Sequence, residues 1–159
     1  ERRRVDFAFV DARLVQSRQQ LMTAIVQAIV GAMRRDPKRP DAEVGLKTPS
    51  IHSDLLWTLH SNNNIAEALR RFGVSRTTRS LILVRVAPPL DAGELVQHMT
   101  QLVDGTLQTR GLSLPSPALA WSELGTAYKI QDTPAFQHPD TSQVDALICS
   151  MVASKYVGA

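Results

Sequence analysis

The sequence predicts one mixed α/β domain of the α+β kind, with a small central sheet packed against several helices. Three observations predict it. Leu81-Ile82-Leu83-Val84-Arg85-Val86 is a β-branched run stopped by Pro88-Pro89, the clearest strand in the chain. Val5 to Val10 is a second short run rich in β-branched and aromatic residues. Between and after these two, several segments place apolar residues at helical spacing behind Ser, Asn or Asp in the cap position. A length of 159 residues, 43% apolar and 21% charged, supports one hydrophobic core and predicts a single domain.

After the first strand, Ser17-x-x-Gln20 is a capping-box pattern that opens a long helix. Leu21, Met22, Ile25, Val26, Ile29, Val30 and Met33 form its wide apolar stripe, which the fold is expected to bury. Three prolines and several charges between Asp36 and Pro49 predict a basic loop ending in Lys47-Thr48. Ser50 then caps a short helix carrying Ile51, Leu55, Leu56 and Leu59; a buried strand is the alternative for this leucine-rich run.

The segment Ser61 to Ser75 is a complete helix cassette with a three-asparagine entry. Asn64 is placed to accept the N–H of Glu67, whose carboxylate can answer at the cap's own N–H. Ile65, Ala68, Leu69 and Phe72 share one face, and Gly73 is expected to stop the helix in a left-handed conformation, with Val74 folding back. Capping needs one asparagine. Asn62 and Asn63 are therefore unexplained by helix formation alone.

Beyond the second strand, Asp91-x-x-Glu94 starts a helix with Leu95, Met99, Leu102 and Val103 on one face and Gly105 at its end. Thr106 to Thr109 is a possible edge strand, and Ser116-Pro117 is a good helix start. Gln131 to Thr141 predicts a surface loop. Ser142-x-x-Asp145 then opens a last helix with the stripe Val144, Leu147, Ile148, Met151 and Val152.

Charge and motif content limit the chemistry. A net charge of +3 permits attraction to nucleic acid without demanding it. Arg34, Arg35, Lys38 and Arg39 cluster near two prolines, and Arg70-Arg71 lie on the cassette helix; clusters of this kind are commonly solvated faces. His52, His60, His98 and His138 lack partners at metal-ligand spacing, and no glycine-rich phosphate loop follows either strand. The chain is therefore expected to carry no metal, cofactor or catalytic residue. The lone Cys149 permits no intrachain disulfide and suits a reducing nuclear or cytosolic compartment. There is neither an apolar run of about 18 residues nor a charged-then-apolar leader, so neither a membrane span nor a signal peptide is expected.

The cassette resembles the signature of the PRPK-binding protein family, the small regulatory subunit of the KEOPS (EKC) complex. Asp6 to Val15 with Ser17, Leu46-Lys47-Thr48 with His52-Ser53, Ala127-Tyr128-Lys129-Ile130 and Val144 to Ile148 resemble further family segments in the same order. Together these span most of the chain. Two departures stand out: His60-Ser61 occupies the place of the family's Ser-Pro, and the sequence from Glu1 to Ala159 starts without the strand and helix that the family usually has ahead of Arg4.

The resemblance implies a compact mixed domain and a non-catalytic role in threonylcarbamoyladenosine modification of ANN-decoding tRNAs. It implies docking on the small atypical kinase of the complex, with other KEOPS subunits reached indirectly. It also implies recruitment of tRNA through its single-stranded 3′ end, a nuclear and cytoplasmic location, and an association with telomere maintenance. On this basis Leu147, Ile148, Met151 and Val152, with Leu55 and Leu59 as neighbours, are the expected kinase contacts. Lys47, Asn62, Asn63, Asn64, Arg70 and Arg71 are the expected tRNA contacts, since phosphates need cations and unpaired bases need amide edges. The alternative is a standalone small enzyme or nucleic-acid-processing factor on the same domain.

Overall fold

The computed structural model describes residues 7–34, 45–108, 120–138 and 140–157. Among these residues the chain forms two strands and seven α-helices, the mixed architecture predicted above. Strand β1 (Ala8–Asp11) pairs antiparallel with β2 (Leu81–Val84), placing Ala8 opposite Val84 and Asp11 opposite Leu81. Both predicted strands are present, with β1 extending to Asp11 and β2 ending before Arg85. The buried Asp11 carboxylate then turns the chain into a single 3-10 turn by accepting the Arg13 N–H at 3.0 Å and the Thr78 hydroxyl at 2.6 Å.

Helix α1 (Arg18–Met33) starts at Ser17, whose hydroxyl accepts the Gln20 N–H at 3.0 Å. Only half of the predicted capping box forms. The Gln20 side chain instead accepts the N–H of Gln16 and donates, inside the core, to the Leu14 carbonyl and the Tyr128 hydroxyl.

The buried face of α1 is Gln20, Leu21, Ala24, Ala28 and Gly31. This divides the expected stripe: Leu21 is buried and Ile25 packs partly buried against the core, but Met22, Val26, Val30 and Met33 are 43%, 51%, 42% and 74% exposed. Small side chains won the core because they let neighbouring backbones come close. The Thr58 hydroxyl of α2 (Ile51–Leu59) reaches the Ala24 carbonyl at 3.1 Å, and a Cβ at Gly31 would collide with Tyr156.

Contacts at both ends of α1 fix the packing directions. Helix α2 runs antiparallel to α1, since Thr58 meets Ala24 while Asp54 is bonded to the Tyr156 that covers Gly31. Helix α7 (Thr141–Ala153) runs parallel to α1, from the Ser17–Asp145 hydrogen bond to the stacking of Arg34 on Tyr156 just beyond the helix. The predicted α2 helix is correct and the strand alternative is not. Its box is made by two serines, Ser50 and Ser53, each accepting the other's backbone N–H.

Helices α3 (Ile65–Phe72), α4 (Ala92–Leu102), α5 (Trp121–Tyr128) and α6 (Pro134–Gln137) complete the fold. Asp91 caps α4 as predicted, but no residue of α4 is buried. Residues 106–108 form no strand; Thr109 and the predicted helix start Ser116-Pro117 lie outside the described residues, as do Arg35, Lys38 and Arg39. Helix α6 interrupts the predicted loop, with Pro134 in its first turn and Phe136 stacked on Trp121 at 4.9 Å. Helix α7 is capped by Asp140 rather than Ser142, because Asp140 reaches two N–H groups while Asp145 holds Ser17. Among the described residues no helix is long and apolar enough to cross a membrane.

Candidate functional site

The asparagine turn joins α2 to α3. Asn64 caps α3 as predicted, accepting the Glu67 N–H at 3.0 Å. Glu67 does not answer at the cap. Asn62 does: its side-chain oxygen Oδ1 takes the Asn64 N–H at 2.8 Å while its side-chain Nδ2 donates to Glu67 at 3.1 Å. Asn62 is thus a structural residue whose two polar ends are both engaged. Asn63 is exposed and its side chain makes no hydrogen bond among the described residues; Asn64 commits only its oxygen.

The turn's backbone is gripped from below. Lys155, just after α7, donates to the His60 carbonyl at 2.6 Å and to the Asn62 carbonyl, and its ammonium sits 4.4 Å from the Trp57 ring centroid. The Asn62 N–H donates at 3.2 Å to His60 Nδ1, which also lies 3.4 Å from the Asn62 backbone carbonyl, and the ring's other nitrogen is Nε2. That buried Nε2 has no hydrogen-bond partner among the described residues and lies 3.9 Å from Glu67. Burial lowers the pKa of His60 and brings that of Lys155 down to about 8.

Glu67 is the electrostatic centre of the turn. Hydrogen bonds from Asn62 and then Arg71 hold its pKa down at about 2. Arg71 donates to it at 2.9 Å, whereas Arg70, 4.0 Å away, remains largely exposed. Lys47 keeps an exposed side chain while its backbone N–H donates to the buried Asp54, which also accepts the Tyr156 hydroxyl. Tyr156 packs edge-on against Trp57 at 5.3 Å. A continuous chain of contacts therefore joins Lys47, through Asp54, Tyr156, Trp57 and Lys155, to Asn62, Glu67 and Arg71.

Gly73 ends α3 in an extended conformation, φ −75°, and not in the left-handed one expected. Glycine is required there for closeness, since a Cβ would strike the Leu69 carbonyl. Ala68 and Phe72 are buried as predicted, but Ile65 and Leu69 stay more than a third exposed.

The expected kinase contacts divide sharply. Leu55, Leu59 and Ile148 have no exposed surface and Val152 has 1%, so these four are core and cannot be presented to a partner in this fold. Leu147 and Met151 are half-buried against that core. The α7 stripe is consumed because α1 lies along it. Among the described residues an apolar face stays open on α1, where Met22, Val26, Val30 and Met33 point away from the buried side of the helix. A helix apolar on opposite faces is the sequence signal that could have found it. Cys149 is buried, with burial raising its thiol pKa to about 11, far from a reactive thiolate.

The model of the family described as kinase binding protein CGI-121 matches residues 1–156. The EKC/KEOPS complex subunit CGI121 of Gibberella zeae is 36% identical over 63% of this chain and 50% of its own length. The subunits of the same name from Cryptococcus neoformans and Neurospora crassa are 30% and 25% identical, over 98% and 93% of this chain and 79% and 78% of their own lengths. The chain thus spans about half the length of the Gibberella relative. With 156 of its residues under one family model, this chain belongs to the kinase binding protein CGI-121 family.

Proposed function

We propose that the chain is a non-catalytic subunit of an EKC/KEOPS-type complex that binds and stimulates the kinase-type ATPase subunit and helps recruit tRNA for threonylcarbamoyladenosine modification. The observation that carries this reading is the outer face of α1, an apolar stripe on the side of the helix opposite the core. It rises over about 16 Å from Met22 to Met33 at 1.5 Å per residue. In a family described by kinase binding, such a face is the natural seat for an apolar surface of the kinase, with the half-buried Leu147 and Met151 as secondary contacts. Names of the relatives support membership of the complex. Nuclear and cytoplasmic residence and the telomere association would follow from that membership.

Val26→Glu tests the reading. It places a charge on the stripe without touching the core, so the melting temperature should hold while kinase affinity falls at least about tenfold. Unchanged affinity would refute the α1 seat. ATP turnover by the isolated chain would favour the standalone enzyme instead.

For tRNA the proposed contacts are Asn63, exposed and with its amide uncommitted, and the exposed cations Arg70 and Lys47. Asn62 and Arg71 support the turn from within. Affinity for tRNA should fall as salt rises and should depend on the unpaired 3′ tail.

A further inference from the structure

Lys155 is 93–95 positions away from the two carbonyls it holds, and it sits where burial is costly for a charge. An apolar side chain would fill the same space over Trp57 without that cost. What only a cation with several donors does here is bind two carbonyls of one turn at once while stacking on an indole. Trp57 Nε1–H adds a long contact to the Asn63 carbonyl at 3.4 Å, and the Ser61 hydroxyl ties the turn to the Ala127 carbonyl at 2.6 Å. With the carbonyls of His60, Asn62 and Asn63 drawn inward, the Asn63 side chain is left exposed.

We propose that Lys155 is a positioning residue: by drawing the His60 and Asn62 carbonyls inward, it presents the Asn63 and Asn64 amides in the one geometry that accepts an unpaired RNA base. This rests on the tRNA reading above and adds to it a residue that never touches RNA. The backbone of a polar turn otherwise samples many conformations, and a preorganised amide edge binds more tightly than one ordered on contact.

The test uses the full chain with Lys155→Met, a side chain of similar length without donors. Affinity is measured for a tRNA with its unpaired 3′ nucleotides and for the same tRNA trimmed of them, alongside kinase affinity and melting temperature. The wild type should prefer the tailed tRNA by about tenfold or more, as expected for one good base contact. In Lys155→Met the preference should drop to within about twofold of none, with affinity for trimmed tRNA and kinase unchanged; a purely structural lysine would not separate these quantities. A variant that keeps the wild-type preference overturns the proposal. A wild type with no tail preference overturns the tRNA reading as well. If Lys155→Met does not fold, Lys155→Gln retains amide donors at shorter reach; a reduced tail preference there supports the assignment, and an unchanged one overturns it.

Discussion

The Tyr156 hydroxyl donates to Asp54 Oδ2 at 2.8 Å, and both residues are buried. This one bond ties the end of the chain to the first turn of α2. Asp54 meanwhile receives the backbone N–H groups of Lys47 and Thr48 on its other oxygen. Tyr156→Phe leaves one buried carboxylate oxygen without its donor, a loss of about 1–3 kcal/mol. Chemical denaturation at neutral pH should show that loss with an unchanged slope.

Glu67 sets an acid-sensitive element. Its folded pKa is depressed from 4.5 to about 2, so its contribution is fully present above 4.5 and is lost as pH falls from there toward 2. Melting temperature should therefore decline more steeply across that window in the wild type than in Glu67→Gln. Parallel curves for the two proteins would show that the Asn62 and Arg71 bonds contribute nothing to stability.

Leu55 distinguishes core from contact. It is fully buried, so Leu55→Ala should cost about 2–5 kcal/mol in stability. Kinase affinity of the folded protein should be unaffected. Ile148→Asp would bury a charge in the same core and is expected to unfold the chain, which makes it useless as a probe of binding.

Local rules were legible in the sequence where they act over a few residues. The caps at Ser17, Ser50, Asn64 and Asp91 all form, as do both strands. What the sequence concealed was the choice between two faces of one helix. In α1 the large apolar residues suggested the core, whereas Ala24, Ala28 and Gly31 took it by permitting close approach. That choice depends on Thr58 and Tyr156, distant in sequence. The candidate turn was found from its asparagines, but their division of labour was not. Asn62 became structural because Glu67 had been claimed by Arg71 and by Asn62 itself, and Lys155 reached the turn only through the fold.

The open face of α1 is the proposed seat of the protein kinase. A photoreactive residue placed at position 26 of the full chain, mixed with the kinase subunit and irradiated, locates that seat. Strong crosslinking from position 26 and only background from position 63 in the asparagine turn is the predicted result. Crosslinking to the kinase from position 63 with none from position 26 would contradict it.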